Sequence, residues 1–338
     1  MSLIPFLHQV AERRDLTAID AQAAMQMILA GETTQSQIAA FLMALRMKGE
    51  CVDELVGFAR AMRRAATPLD AAGMLLDTCG TGGDGDSTFN ISTIAAFVIA
   101  GCKIPVAKHG NRSISSRCGS ADLMEALGVK IKQEPEEIAE ALRDVGIAFL
   151  FAPAIHMAMK HAQPVRAELK MRTVFNLLGP LTNPAGAAVQ LVGAPSDAAA
   201  ELMAGALAQL GLSRGLVVHG SDGLDEVTTT GPTMAFQILC GRVTQQTLEP
   251  KDFGVPPARM EDLTGGDVAE NRDIALRILD GEPGPKRDIV LVNASAALVA
   301  YGFANDFKDG MAGAARSIDS GGARGMLDAL VRFTNKAQ

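Results

Sequence analysis

The chain has 338 residues, 48% of them hydrophobic and 20% charged, with a formal net charge of −7. Such a length and composition belong to a globular protein with one large domain or a large and a small one, and exclude a disordered chain. The acidic balance, the absence of Trp and the single Tyr argue against a general nucleic-acid binder, which shows a basic footprint and aromatic platforms.

Residues 1–70 read as helices. Leu3, Ile4, Leu7, Val10 and Ala11 follow the i, i+3, i+4, i+7 pattern. Thr17 with Asp20 resembles a capping box built with the shorter acid, and Gly31 suits the end of that helix. Thr34 with Gln37 opens a helix through about Lys48, stopped by Gly49, and another runs from about Val52 to Ala66, before Thr67-Pro68. The short connections make these helices antiparallel neighbours. Met25, Met43 and Met47 lie at core-like helical spacing and read as flexible core filler. The opening MSLIPFLHQVAERRDLT is too charged, and its apolar run too short, for a signal peptide. No stretch approaches about 18 uninterrupted apolar residues, so no membrane span is expected. Cys51, Cys79, Cys102, Cys118 and Cys240 form no CxxC pair, against a disulfide framework or a structural zinc site. A reduced, cytoplasmic setting fits, and makes the sequon matches at Asn90, Asn111 and Asn293 coincidental.

From Met74 the rhythm changes to strand, glycine turn, helix. Apolar runs at Met74–Thr78, Val106–Lys108, Ala148–Phe151, Val189–Val192 and Leu216–His219 alternate with helical patterns such as Ile94–Ala100, Asp197–Leu210 and Asp288–Tyr301. This predicts an α/β fold with a mostly parallel central sheet flanked by helices. Met234–Leu239 and Arg242–Thr247 read as a hairpin around Cys240-Gly241, an antiparallel edge. Pro153–Pro184 breaks the alternation. It is helical and polar, and is expected to return the chain to the helical domain.

The first strand runs into Gly80-Thr-Gly-Gly-Asp-Gly-Asp86, and Ser87-Thr-Phe-Asn-Ile-Ser-Thr93 opens the next helix. Glycines let backbone N–H groups approach an anion, and a helix N-terminus favours negative charge. Gly80, Gly82 and Gly85 match the bare GxGxxG spacing, but the next strand ends in Lys108 rather than the acid that holds a dinucleotide ribose. No GK[ST] follows, so a Walker loop is excluded. Asp84 and Asp86 would repel an anion unless they accept ribose hydroxyls or face a metal. The loop reads as a binding site for a phosphorylated ligand.

The second strand ends in Lys108-His-Gly-Asn-Arg-Ser-Ile-Ser-Ser116, and Gly119-Ser-Ala-Asp122 opens the following helix. Cations, an amide and hydroxyls at a strand's carboxyl end make a second anion site. Loops of this kind on successive strands suggest a ligand with two separated phosphate groups. His109 is a candidate base or a positioning residue. His156 and His161 lack a third ligand and read as surface or packing residues, and Lys103 and Arg117 as solvated charges. Asp225-Glu226, after His219-Gly-Ser-Asp-Gly-Leu, suits Mg²⁺ or is a solvated acidic loop, with Asp222 open to either role. Arg166, ahead of a Gly-Pro turn, could hold a carboxylate bidentately, or be a solvated helix-end charge.

GTGGD at Gly80–Asp84, NIST at Asn90–Thr93, KHGNRSISS at Lys108–Ser116, GSADLMEALG at Gly119–Gly128, RTVFNLLGPLTNP at Arg172–Pro184 and HGSDGLDE at His219–Glu226 occur in this order. Together they resemble the anthranilate phosphoribosyltransferase family over essentially the whole chain. The resemblance implies a Mg²⁺-dependent enzyme of tryptophan biosynthesis. Such an enzyme transfers the phosphoribosyl group of phosphoribosyl pyrophosphate (PRPP) to the amine of anthranilate. It implies a homodimer whose subunits pair a small helical domain with a large α/β domain, the active site lying at the hinge. The expected division is 1–70 plus about 160–187 for the helical domain, and 73–160 with 188–338 for the other. By this resemblance Gly80, Gly83, Asp84, Thr88, Asn90, Ile91, Ser92, Thr93, Lys108, His109, Gly110, Asn111, Arg112, Ser113, Ile114, Ser115, Ser116 and Ser120 hold PRPP. Ser92, Asp225 and Glu226 bind magnesium, and Gly80, Asn111 and Arg166 contact anthranilate, Arg166 through its carboxylate. Met157 stands where the family commonly has Pro, and Lys170 where Gly is usual. A pyrimidine nucleoside phosphorylase shares this architecture by resemblance, and a non-catalytic nucleic-acid-binding relative is the alternative from another class. The Asp225-Glu226 pair and KHGN speak against the first, and the acidic charge with Asn111 and Arg166 in place against the second.

Overall fold

The computed structural model describes residues 2–71, 73–82, 88–113 and 117–336. Helices α1 (Ile4–Ala11), α2 (Ala18–Leu29), α3 (Gln35–Lys48) and α4 (Val52–Ala65) form the N-terminal bundle. At α3 the box closes on both sides: Gln37 N–H donates to the Thr34 hydroxyl at 3.2 Å, and Thr34 N–H donates to the Gln37 side chain at 3.3 Å. At α2 only half forms. Asp20 N–H reaches the Thr17 hydroxyl at 3.2 Å, but the short Asp20 carboxylate takes the Thr17 O–H at 2.7 Å instead of the capping N–H. Phe41 and Phe58, both fully buried, meet edge to face with centroids 6.2 Å apart. Met25 is buried as its spacing predicts, but Met47 is 69% exposed. It lies in the last turn of α3, where the bundle no longer covers that face.

The chain then runs β1 (Leu76–Gly80), α5 (Ile91–Gly101), β2 (Val106–Gly110), α6 (Ser120–Ala126), α7 (Pro135–Asp144) and β3 (Ile147–Phe151). Next come α8 (Ala152–Ile155), a 3-10 turn (Met157–His161), α9 (Gln163–Leu169) and α10 (Phe175–Leu178). Strand β4 (Val189–Gly193), α11 (Asp197–Gln209), β5 (Arg214–Gly220) and the hairpin β6 (Thr233–Leu239) and β7 (Arg242–Leu248) follow. Helices α12 (Val268–Leu279), α13 (Pro285–Tyr301), α14 (Phe307–Asp319) and α15 (Gly322–Thr334) complete it.

The seven strands lie in the order β3-β2-β1-β4-β5-β6-β7. Pairs among the first five are parallel, and β5–β6 and β6–β7 are antiparallel. The chain steps outward from β1 to β3 on one side and from β4 to β7 on the other. Between β1 and β4 the direction reverses, and at such a switch the carboxyl ends of the strands open a crevice. Side chains alternate across the sheet. Leu76, Val106, Leu191 and Leu216 join α5 and α13 in one core, while Val192, Val217, Phe236 and Ile238 join α4 and α11 in another. Ala162, Val165, Val174, Phe175, Leu178 and Leu181 also enter that second core, beside residues of the N-terminal helices.

Lys170, which ends α9, is left-handed at φ 48° and ψ 37°. That conformation explains why glycine suits the position, and for a side-chain-bearing residue it costs about 1–2 kcal/mol. Lys170→Gly should therefore raise stability by up to about 1 kcal/mol, and Phe41→Ala should lower it by about 3–5 kcal/mol. Urea unfolding followed by circular dichroism measures both, and a destabilised Lys170→Gly would refute the strain at α9.

Candidate active site

Gly80 and Gly193 face each other at the ends of β1 and β4. A Cβ on Gly80 would overlap Asp225 Oδ2, and one on Gly193 would overlap the Asp225 backbone. The glycine pair makes room for the loop after β5 to lean over the switch point. There the Gly82 N–H donates to Asp225 Oδ2 at 2.8 Å, and the Ser92 N–H donates to Glu226 Oε1 at 3.0 Å. The loop is rigid on its far side. Asn293 brackets Val227 with hydrogen bonds of 2.9 Å to its N–H and carbonyl. Asp222 accepts the Thr228 and Thr230 hydroxyls and, at 3.1 Å, the Leu224 N–H. Asp222 is thus a turn-former.

Lys108 reaches the same place from β2. Its side chain is 1% exposed, and its ammonium donates to the Thr78 carbonyl and, at 3.3 Å, to Ser92 Oγ. Burial pulls the ammonium below its ordinary pKa, and the charges of Asp77, Glu226 and Asp225 oppose that. Two carboxylates, each accepting a backbone N–H, and the Ser92 hydroxyl offer oxygen donors of the kind a small hard cation such as Mg²⁺ takes. The neighbouring ammonium and the α5 N-terminus suit the anion such a cation would accompany.

Around this centre the expected residues divide. Asn90 stands at the N-cap position of α5 with no side-chain capping bond, and its buried Oδ1 has no partner among the described residues. Ile91 and Thr93 are buried at the start of α5. Thr88 lies in an isolated bridge with Thr264. Asn111 N–H donates to Ser120 Oγ at 3.2 Å, which puts Gly110, Asn111 and Ser120 together. Arg112 turns to Asp122 and Glu125, at 2.8 and 2.7 Å, and the Ser113 N–H also goes to Asp122, at 3.2 Å. Gly83, Asp84, Ile114, Ser115 and Ser116 lie outside the described residues.

Arg166, on α9, makes no ion pair among the described residues. Its guanidinium instead lies over the buried Phe175 ring, 5.3 Å from the centroid, and burial lowers its pKa. An aromatic face stabilises a cation without occupying its N–H donors, so the fork stays available for a carboxylate. Arg172, six positions on, opens a motif but carries no expected role. It donates to the Gly82 carbonyl at 2.8 Å, while Arg46 of α3 donates to the Arg172 carbonyl. That relay links the bundle to the glycine-rich loop.

Asp77 likewise has no role in the sequence reading. Fully buried, it accepts the His109 N–H at 3.1 Å, Asn183 Nδ2 at 2.8 Å and Gln190 Nε2 at 3.5 Å. Asn183 also donates to the Ala107 carbonyl at 2.9 Å, and Gln190 to the Pro180 carbonyl at 2.9 Å. This network pins the returning segment at 180–185 to the sheet. Its only sequence signal is an acid within an otherwise apolar strand. Strand alternation sends the His109 ring to the face opposite Lys108, against His156 at 5.3 Å between centroids. Both rings are buried, with Nε2 unpartnered among the described residues, so His156 is a packing residue and not a surface one.

A family model described as glycosyl transferase family, a/b domain, matches residues 72–324, and one described as glycosyl transferase family, helical bundle domain, matches residues 4–66. The anthranilate phosphoribosyltransferase of Solibacter usitatus (strain Ellin6076) is 64% identical over 336 residues, 98% of this chain and 99% of that one. The crystal structure of the Thermus thermophilus anthranilate phosphoribosyltransferase covers 99% of both chains at 44% identity, with a TM-score of 0.93. The Saccharomyces cerevisiae enzyme of the same name, in complex with PRPP and Mg, is 29% identical with a TM-score of 0.92, over 99% of this chain and 98% of that one.

Burial lowers His109 to about 4 against the Gly179 carbonyl, which raises it, and lowers His156 to about 3 with help from the charge of His109. Unfolded histidines titrate near 6.5. Above that pH neither ring makes stability depend on pH. As pH falls from about 6.5 towards 5, the unfolded chain takes up protons that the folded one refuses. Stability should then drop by about 1.4 kcal/mol per pH unit for each ring. His156→Gln should flatten the slope of unfolding free energy against pH by about one proton, and an unchanged slope would refute the assignment.

Proposed function

Because the chain belongs to the glycosyl transferase family whose helical bundle and a/b domains it matches, we propose that the crevice between β1 and β4 is where its reaction takes place. The chain transfers the phosphoribosyl group of PRPP to the amine of anthranilate, releasing pyrophosphate, a step of tryptophan biosynthesis. The observation that carries the placement is the convergence of Asp225, Glu226, Ser92 and Lys108 over the glycine pair.

Asp225, Glu226 and Ser92 would hold magnesium, which would supply positive charge to offset that of the pyrophosphate leaving group. Lys108 adds a fixed positive charge at the same edge, in a site dry enough for it to act strongly. The positive end of α5 favours the phosphates, which we place among Gly80, Thr88, Gly110, Asn111, Ser113 and Ser120. Asn90 Oδ1, buried and unpartnered among the described residues, would accept a ribose hydroxyl. We place Gly83, Asp84, Ile114, Ser115 and Ser116 in the same donor site from their motifs. Arg166 receives the anthranilate carboxylate, with Gly80 and Asn111 beside the ring. An arylamine is unprotonated at neutral pH, so the nucleophile needs no strong base. The demanding step is loss of pyrophosphate through an oxocarbenium-like state, and fixed orientation serves it.

We assign 1–70 with about 160–187 to the helical domain, and 73–160 with 188–338 to the other, because Val165, Phe175 and Leu178 share the bundle's core. The relay from Arg46 through Arg172 to Gly82 then couples closure of the two domains to the donor loop and helps exclude water. We further propose a cytoplasmic homodimer. The exposed Ile4, Ile19 and Met47 of the bundle support an apolar contact there, and among the described residues no helix is long and apolar enough to cross a membrane.

Anthranilate fluorescence should decay when the protein is mixed with PRPP and Mg²⁺, and persist with EDTA or without PRPP. A persistent signal from folded protein across neutral pH would overturn the reaction. Arg166→Ala should lose about 2–4 kcal/mol in kcat/KM for anthranilate. Asp225→Asn with Glu226→Gln should raise the magnesium concentration needed for half-maximal rate. Unchanged kinetics in both variants would remove these roles.

A further inference from the structure

The segment that carries Thr88 and Asn90 is braced from outside by the start of α12. Thr264 pairs with Thr88 in an antiparallel bridge. A Cβ on Gly265 would stand 2.7 Å from the Thr88 carbonyl oxygen and 2.8 Å from the Phe89 nitrogen, so backbone meets backbone here without room for a side chain. Lys286 closes the contact, donating to the Thr264 carbonyl while lying 5.4 Å from the centroid of the Phe89 ring.

Behind it stands Asn271, 2% exposed. Its Nδ2 donates to the Gly266 and Asp267 carbonyls at 2.9 and 3.0 Å. Those two acceptors decide which end of the amide faces outward. Its Oδ1 therefore accepts the Asn90 N–H, at 3.2 Å. Asn90 passes the constraint onward, because its Nδ2 donates to the Cys118 carbonyl at 3.1 Å, one residue before Gly119 and the start of α6. From there Ser120 Oγ accepts the Asn111 N–H at 3.2 Å. A single buried amide thus sets the position of Asn90 and, through it, the spacing between the loops that end β1 and β2.

We propose that Asn271 is a positioning residue for the phosphoribosyl donor: it touches no substrate, but holds Asn90 and both phosphate-facing loops at the separation PRPP requires. The proposal rests on the reading of Asn90 as a donor-binding residue. A ligand anchored at two separated phosphates is the more sensitive to that separation, whereas anthranilate is anchored by its carboxylate on Arg166 of α9 and meets the two loops only where Gly80 and Asn111 flank its ring.

The test compares Asn271→Ala and Gly265→Ala with the unaltered enzyme, measuring kcat and both KM values with Mg²⁺ present and PRPP binding by calorimetry. Gly265→Ala presses on the same backbone while keeping Asn271, and carries the test if Asn271→Ala does not fold. Each should raise the KM and Kd for PRPP about five- to tenfold, with the anthranilate KM within about twofold of wild type. Equal rises for both substrates, or a lower kcat with both KM values unchanged, would show a general structural role and overturn the proposal. Asn90→Ala separates the two readings. If it raises the PRPP KM and neither outer variant does, Asn271 is not a positioning residue. If it too leaves PRPP binding unchanged, the donor-binding role of Asn90 falls with it.

Discussion

Lys108 carries its ammonium at 1% exposure, and a charge placed there must be answered by its surroundings. Desolvating an ammonium costs several kcal/mol unless hydrogen bonds and opposite charges offset it. The answer comes from well-separated parts of the chain. Thr78 supplies a carbonyl, Ser92 a hydroxyl, and Asp77, Glu226 and Asp225 supply negative charge. No one of these elements could hold such a cation alone. Together they require β1, β2, the start of α5 and the loop after β5 to meet at one edge of the sheet.

The sheet order makes that meeting possible. Parallel strands end their carboxyl termini on the same side, and reversal between β1 and β4 leaves a gap between the loops above them. Two glycines in register across that gap let the Asp225 loop descend into it. The loop then closes on backbone N–H groups of Gly82 and Ser92, so the carboxylates are oriented before any ligand arrives. Charge that is already oriented need not reorganise during reaction, which is where such sites gain most of their effect.

The second core links this edge to the bundle. Phe175 and Val165 pack with α1–α4, while Asn183 and Gln190 anchor the end of the same segment to Asp77 within the sheet. Arg166 therefore sits on a segment tied at one end to each part of the molecule. Its guanidinium is stabilised by an aromatic face. A carboxylate partner would have neutralised the charge and competed with an acidic substrate.

Much of the fold was legible in the sequence. The caps at Thr17 and Thr34, the helical periods and the alternation of strand and helix act over a few residues, so local pattern located the bundle helices, the strands and several of the helices between them, but did not single out α7, α12, α14 or α15. The Gly80, Asn90, Lys108 and Asp225 motifs were legible for the same reason, since loops that approach a ligand need glycines, hydroxyls and charges close together in the chain. Other assignments could not be read this way. Asp222 proved to be a turn-former, Met47 is exposed, and the His109 ring points away from Lys108. The roles of Asp77, Asn183, Arg172 and Asn271 were invisible. Each of these depends on which strand lies beside which and on which face a side chain emerges, and strand order joins Asn90 to Asn271 and Gly82 to Asp225 across long stretches of chain. Sequence by itself determined the local elements and the chemistry of the loops. The tertiary structure alone decided which buried polar groups answer one another, because hydrogen bonding between distant residues is settled by register and burial, not by local propensity.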